Sequence, residues 1–497
     1  MGRPERNRIY VVGAGFAGRS IAAELASKGV FGCVVAFLDD DPGKIGARVD
    51  GIPVLGPISD LAALLRTTPA DEAIIAIPSA SRERLRELYY TLKAAGFVRI
   101  RILPDVAQIV EGDAHLVQTR EIDPQDLLGR SPVAVGLKES LAWLAGKRVM
   151  ITGAGGSIGS ELARQLLSAG VERLYLFGHG ENSIYQIDHE LRDLQSGGVG
   201  VSTAIVPVIG DLKDGPYLSF LLKRLRTDVV FHAAAYKHVP MMEANTVAAI
   251  QNNVFGTLNL VNAALDADTR RFVLISTDKA VDPLCVYGAS KQLSERVVLD
   301  AQDRATRDGL NGNFMVVRFG NVLGSRGSIL PLFMRQITQG GPVTVTHPDA
   351  TRYFMTIPEA CSLVIKAGGA GSGGQSYILD MGDPVPIREL AEQVIRFSGY
   401  EPGVDIGISY IGLRPGERVH ERLHSALEDL QPTEHGSINR LVRRDGPFDL
   451  AGILSELAPV CVEDPERPRL YRNRVALRRI LRAYLPSVEE LPDEPEY

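Results

Sequence analysis

The stretch RVMITGAGGSIG, Arg148 to Gly159, is a short apolar run that passes straight into a glycine-rich turn and a helical pattern. Gly153, Gly156 and Gly159 carry no Cβ, so backbone amides and a helix N-terminus can approach a pyrophosphate, with Ser157 and Ile158 in the first helical turn beside it. Downstream, the apolar runs Arg173 to Phe177, Asp228 to Ala234, Arg271 to Thr277 and Phe314 to Phe319 alternate with helical patterns. That alternation predicts a doubly wound parallel sheet with a dinucleotide at its carboxyl edge.

The same grammar occurs earlier in the chain. Ile9 to Val12 precede GAGFAG, in which Gly13, Gly15 and Gly18 form a full GxGxxG, and Asp39 follows where an acid can bind a ribose hydroxyl. Val34 to Asp40 and Ala73 to Pro78 read as further buried strands. The fold class expected is α/β, two Rossmann-like doubly wound sheets in tandem, the second with a C-terminal substrate-binding subdomain. The boundaries expected are 1–111 for a nucleotide- or CoA-binding-like domain, 112–146 for a charged linker containing REIDPQDLLGRSPV, 147–440 for the catalytic domain with its cap, and 441–497 for a helical tail. No catalytic set follows the first glycine turn, which leaves either a nucleotide-like ligand held without chemistry or a turn kept only for packing.

Bulk properties agree with a two-domain enzyme. The 497 residues exceed what one core usually organises. The net charge of -6, with no stretch interleaving basic residues and aromatics, argues against a nucleic-acid partner. Cys33, Cys285, Cys361 and Cys461 form no C-x-x-C pair, so neither a metal site nor a disulfide framework is expected, and a reducing cytoplasm fits. The N-terminus enters a strand without an apolar signal core, and no 18 apolar residues run together, so a protein without a transmembrane segment is expected. Near the end, Leu470, Leu477, Leu481 and Tyr484 share one helical face. A terminal helix docked on its own chain or on a partner subunit is the main reading, a membrane-surface helix the other.

The chemistry is carried by Thr277, Asp278 and Lys279 at a strand end and by Tyr287 and Lys291 at i and i+4 on the next helix. An ammonium beside a phenol lowers its pKa, so the phenolate can take an alcohol proton while hydride leaves for a nicotinamide. Consecutive strand residues point opposite ways, so Thr277 to Lys279 can meet one substrate only if the strand breaks; Asp282 and Pro283 suggest that break. Once a sugar's 4-hydroxyl is oxidised, the C5 hydrogen is acidic and the 6-hydroxyl is a leaving group. Lys279, kept neutral by Lys291 and a cationic nicotinamide, would take the C5 proton, and Asp278 would protonate the departing oxygen. Asp211 would cap adenine beside Leu212, Ala233, Ala234 and Ala235 would admit the cofactor, and Asn253 would hold the backbone of the active-site strand. Gly178 stands where an acid would exclude a 2′-phosphate, so NAD and NADP are both admissible.

The strings GAGGSIGSEL, GHGENSIY, FHAAAYKHVPMME, NNVFGT, STDKAVDP, VYGASK, VRFGNVLGSRGS, VTVTHPDATRYFMTIPEA, DMGDPV and GLRPGER resemble the CapD-like polysaccharide biosynthesis proteins, UDP-N-acetylglucosamine 4,6-dehydratases of the extended short-chain dehydrogenase superfamily. The resemblance implies that Thr277 binds the 4-hydroxyl, Asp278 is the acid, Lys279 the base, and Tyr287 with Lys291 the oxidation pair. It implies that Lys237, Asn321, Arg352, Arg414 and Glu417 hold a UDP-sugar, that the cofactor is bound and recycled, and that the protein is a homo-oligomer. Longer relatives often carry transmembrane helices ahead of the first domain, so this chain resembles a soluble version. They also often have Met where this chain has Tyr287. The alternatives are a nucleotide-sugar 4-epimerase, which needs Tyr287 and Lys291 but not Asp278 and Lys279, and a nucleotide-binding regulator without turnover.

Overall fold

A computed structural model describes residues 7–28, 32–103, 120–121, 140–444, 446–491 and 494. The chain divides into two compact units, the larger opening at Glu139. Most of the linker expected over 112–146 lies outside the described residues.

In the first unit the strands run in the order Arg48–Val49, Ile52–Leu55, Cys33–Leu38, Arg8–Val12, Glu72–Ile75, Arg99–Ile102, Arg120–Glu121. The four between Cys33–Leu38 and Arg99–Ile102 are parallel. Arg8–Val12, Cys33–Leu38 and Glu72–Ile75 are mostly apolar, as parallel strands covered on both faces are, whereas Arg99–Ile102 reads RIRI with its isoleucines buried and its arginines turned outward. Val11, Phe37 and Ile74 are fully buried at its centre together with Ile21 and Leu25 of the helix Phe16–Lys28.

The second unit holds a nine-stranded sheet in the order Ala204–Ile209, Arg173–Gly178, Arg148–Thr152, Val229–His232, Arg271–Thr277, Asn313–Phe319, Ser376–Leu379, Ile438–Arg443, Glu428–Pro432. The first seven are parallel and the last two antiparallel. The strand order reverses between Arg148–Thr152 and Val229–His232, which opens a crevice at the carboxyl edge between Gly153 and Ala233. In register, Thr152 faces His232 and Thr277 faces Phe319, so the chemistry-bearing strand ends lie along one edge.

The region after Gly320 is only partly the separate C-terminal subdomain expected. Short paired strands at Asn321–Leu323 and Phe354–Thr356, at Val343–Val345 and Ile408–Tyr410, and at Thr351–Arg352 and Val385–Pro386 build it. The remainder returns to the main sheet as three strands. Apolar periodicity hid these because Glu428–Pro432 reads EDLQP and is largely exposed.

The tail forms two helices, Leu450–Cys461 and Arg474–Tyr484. Leu477 and Leu481 are fully buried and share a cluster with Ile453, Leu457, Ile250, Val286 and Leu293. The terminal helix therefore packs on its own chain, against the helix Val286–Arg307 that carries Tyr287 and Lys291. No helix among the described residues is long and apolar enough to cross a membrane.

Candidate active site

The glycines of the second turn do different work. A Cβ on Gly153, which has φ +67°, would lie 2.7 Å from the Ala234 Cα, and one on Gly159 would lie 2.2 Å from the Gly153 carbonyl oxygen. Both are glycine so that strand, turn and helix can close. Gly156 is different: its Cβ would meet only the Gly153 oxygen, at 3.2 Å. It is the N-cap of Ser157–Leu167, a helix with no acidic residue in its first turn. An uncrowded amide edge at a helix N-terminus fits a dinucleotide pyrophosphate, and these residues would hold it. Ser157 Oγ accepts from the Arg326 amide at 3.0 Å, while the Arg326 guanidinium donates to Gly155 O at 3.0 Å. The Ile158 carbonyl accepts from Cys361 Sγ.

Around this turn, Ala233 and Ala234 hydrogen-bond back to Thr152, and Ala233, Ala234 and Ala235 are partly buried. Leu212 is buried, whereas Asp211 is partly exposed and paired with Lys213 at 3.2 Å. Asn253 lies in a π-helical turn, Gln251–Phe255, an irregularity often met at functional sites. It does not hold the Arg271–Thr277 strand. It clasps the backbone of Tyr236 in both directions, at 2.9 and 3.0 Å, and donates to Ser290 Oγ at 2.9 Å. It thereby ties the loop after Val229–His232 to the Tyr287–Lys291 helix.

The strand ends at Thr277, as its apolar run predicts, and turns at once. Arg271–Thr277 ends at Thr277, whose hydroxyl caps the single turn Asp278–Ala280, while Asp282 only continues the bend with φ +39°. Three consecutive side chains consequently converge. Thr277 Oγ1 donates to Asp278 Oδ1 at 2.8 Å, and Lys279 Nζ donates to the same oxygen and to Asn321 Oδ1, both at 3.0 Å. Glu421, which no sequence signal singled out, stands 3.5 Å from Lys279 Nζ and 3.7 Å from Arg352 Nε. Asp278 is buried, and its second oxygen, Oδ2, has no hydrogen-bond partner among the described residues.

Two electrostatic expectations are corrected. Lys279 is not held neutral. Burial alone would lower its pKa, but the carboxylates of Asp278 and Glu421 outweigh burial and hold the ammonium above its ordinary value. Lys291 has turned away, donating to Ile275 O at 2.8 Å, so it is not the cation that faces Lys279 or the phenol. Tyr287 is accordingly not depressed: burial pushes it up to about 12, although Lys279 and a hydrogen bond with Thr277 pull the other way.

Lys291 itself is lowered to about 8 by burial, with Glu295 opposing. An unfolded chain keeps this amine protonated up to about 10.5. Between those two pH values the unfolded state binds more protons, so rising pH favours the fold. Met at this position lacks that dependence. In paired urea titrations, the stability of Lys291→Met relative to wild type should fall by up to about 3 kcal/mol from pH 8 to 10.5. A flat difference across that range would show that Lys291 is not buried as described.

The substrate positions named by resemblance divide. Asn321 joins the Lys279 cluster. Lys237 is exposed on the loop after Ala235. Arg352 spends its guanidinium on the carbonyls of Thr351, Val419 and Arg418, at 2.7 to 2.9 Å, and approaches the cluster only through Glu421. Arg414 and Glu417 pair with each other at 2.6 Å across an exposed turn.

Beneath the site lies a group that sequence reading missed. Glu295, one helical turn past Lys291, accepts from Ser276 Oγ at 2.6 Å and pairs with Arg318 and Arg443, each at 2.8 Å; Arg318 also pairs with Glu428 at 2.8 Å. Arg318 is 1% exposed. The available signal was a lone arginine inside the apolar run Asn313–Phe319 and a glutamate on the face of Lys291.

In the first unit, Gly13 has φ +103° and a Cβ on Gly18 would lie 1.9 Å from Gly13 O, whereas one on Gly15 would meet nothing within 4 Å. Packing therefore requires two of the three glycines and not Gly15. Asp39 accepts from the Ala14 amide at 2.9 Å and from Lys44 at 3.1 Å.

Residues 149–443 match the family model described as polysaccharide biosynthesis protein, and residues 2–104 match a CoA-binding domain. The probable polysaccharide biosynthesis protein EpsC of Bacillus subtilis strain 168 is 43% identical over 84% of this chain and 68% of its own length. The capsular polysaccharide biosynthesis protein CapD of Staphylococcus aureus is 42% identical over 84% of this chain and 69% of its own. The inverting UDP-N-acetylglucosamine 4,6-dehydratase of Campylobacter jejuni is 30% identical over 56% of this chain and 78% of its own. Among solved structures, Pen from Bacillus thuringiensis superposes with TM-score 0.55 at 30% identity, covering 61% of this chain and 89% of that one. With a family model spanning more than half of its length and two such relatives, this chain belongs to the polysaccharide biosynthesis protein family.

Proposed function

We propose that the second unit is a nucleotide-sugar 4,6-dehydratase acting on UDP-N-acetylglucosamine or a near relative, for surface polysaccharide synthesis. The carrying observation is the Asp278 carboxylate at the end of the Arg271–Thr277 strand, whose Oδ1 accepts from both the Thr277 hydroxyl and the Lys279 ammonium. A carboxylate held through one oxygen by a hydroxyl and an ammonium places an acid and a base side by side, the pair that elimination needs and oxidation alone does not.

A nicotinamide dinucleotide held by Gly153, Gly156 and Gly159 would take hydride from C4 and return it to C6. The chain's own residues handle the protons. Tyr287, beside Thr277, takes the proton of the 4-hydroxyl as the phenolate, the form that the Lys279 ammonium and the Thr277 hydrogen bond favour against burial. Lys279 and Asp278 rest as ammonium and carboxylate joined by a 3.0 Å hydrogen bond. Moving one proton along that bond yields the neutral amine that removes the C5 hydrogen and the acid that protonates the 6-oxygen as water departs; the Lys279 ammonium so formed gives a proton back to C5 when hydride reaches C6. Glu421 and Asn321 steady Lys279 Nζ for that exchange.

The second reading is a 4-epimerase, since UDP-glucose 4-epimerase of Rickettsia rickettsii is 33% identical over 57% of this chain. Epimerisation leaves Asp278 and Lys279 without a task. Mass spectrometry of the product from UDP-N-acetylglucosamine separates the two. Loss of one water is the expected result, and an unchanged mass with altered C4 configuration would transfer the assignment to the epimerase.

A further inference from the structure

We infer that the segment Leu485–Glu489 is a latch that seats the Arg414–Glu417 turn over the active site, with Glu489 as its positioning residue. The inference rests on the reading above that this turn contacts the UDP portion of the substrate.

The turn has few supports of its own. Arg414 and Glu417 bond to each other, and Ile411 and Leu413 beside them are exposed at 55% and 41%. What fixes the turn from outside is Gly416. It has φ +77°, and its Cβ position lies 2.4 Å from the Cys285 Cβ, so the backbone sits directly against the bend that precedes the Tyr287 helix. The Gly416 amide donates to Glu489 Oε2 at 3.0 Å.

Glu489 is itself immobilised. Its amide donates to Leu284 O at 2.9 Å, its carbonyl accepts from Arg478 at 3.2 Å, and Ser487 Oγ donates to Pro283 O at 3.0 Å. Val488 between them is buried in the cluster that holds Tyr287. The segment therefore grips the Pro283–Cys285 bend with two hydrogen bonds and the Arg414–Glu417 turn with a third. A second line runs to the same helix: Arg478 pairs with Glu243 at 2.7 Å, and Glu243 Oε1 accepts from the first helical amide, Val286 N, at 2.7 Å. The latch residues, Arg478 and Leu485–Glu489, lie beyond residue 443, where the match to the family model ends, while their partners lie within it.

The experiment is calorimetric titration of the full chain with UDP, which needs no turnover and so separates this inference from the dehydratase reading. Glu489→Ala should weaken UDP binding about three- to tenfold, the scale of one hydrogen bond to a charged acceptor at a partly exposed site. Glu489→Gln keeps a carbonyl oxygen in reach of the Gly416 amide and should recover most of that loss. Glu490→Ala, which removes a neighbouring charge, should bind as wild type does. With UDP-N-acetylglucosamine as substrate, Glu489→Ala should raise KM by the same factor while kcat stays within about twofold. Equal UDP affinity in Glu489→Ala and wild type overturns the latch, as does a loss in Glu490→Ala matching that in Glu489→Ala. If Arg414→Ala also binds UDP unchanged, the turn is not part of the nucleotide site and the inference falls with it.

Discussion

Lys279→Ala should lose about a thousandfold or more in water elimination from UDP-N-acetylglucosamine, with cofactor content unchanged. Removing a positioned proton-transfer group costs roughly 10² to 10⁴ in rate, and here the same residue also balances a buried carboxylate. Asp278→Asn should lose a similar factor for a different reason, and heavy water distinguishes the two. Without the Asp278 charge, the burial that lowers Lys279 is opposed only by Glu421 and Tyr287, so a neutral amine is within reach. Asp278→Asn should therefore still exchange the C5 hydrogen of recovered substrate for deuterium while forming no product. Lys279→Ala should do neither. Unchanged turnover in both variants would remove the catalytic assignment.

That asymmetry could not be read from the sequence, although the residues could. Strand ends, glycine turns and the i, i+4 spacing of Tyr287 and Lys291 are local, and each of those expectations concerned residues within one element or its neighbour. The doubly wound sheets and the convergence of Thr277, Asp278 and Lys279 were legible for that reason. The charge states were not. They depend on Glu421, which lies far along the chain from Lys279, and on Lys291 choosing the Ile275 carbonyl over the phenol. The first glycine turn shows the same limit. GxGxxG was legible, but only the open space at Gly15 separates a residue kept for approach from Gly13 and Gly18, which packing alone demands.

Arg318→Leu should destabilise the fold by about 3 to 5 kcal/mol, the cost of stranding a buried charge, against a total of roughly 5 to 15 for a typical domain. Four charges share this site, Glu295 and Arg318 fully buried and Glu428 and Arg443 nearly so, with the two glutamates facing the two arginines. Removing Arg318 leaves two carboxylates with one guanidinium. Glu295→Leu in the same chain restores the balance, because Arg443 and Glu428 remain paired at 3.4 Å. Urea titration should accordingly show the double variant regaining much of the stability lost by Arg318→Leu. Activity should not return with it. Glu295 holds Ser276, the residue before Thr277, at 2.6 Å and lies one turn from Lys291, so the quartet sets the register between the catalytic strand and the catalytic helix. A double variant that is both stable and fully active would mean the buried charges serve stability alone. One stable but slow, with UDP affinity intact, would show that the C-terminal strands carrying Glu428 and Arg443 belong to the active site's foundation.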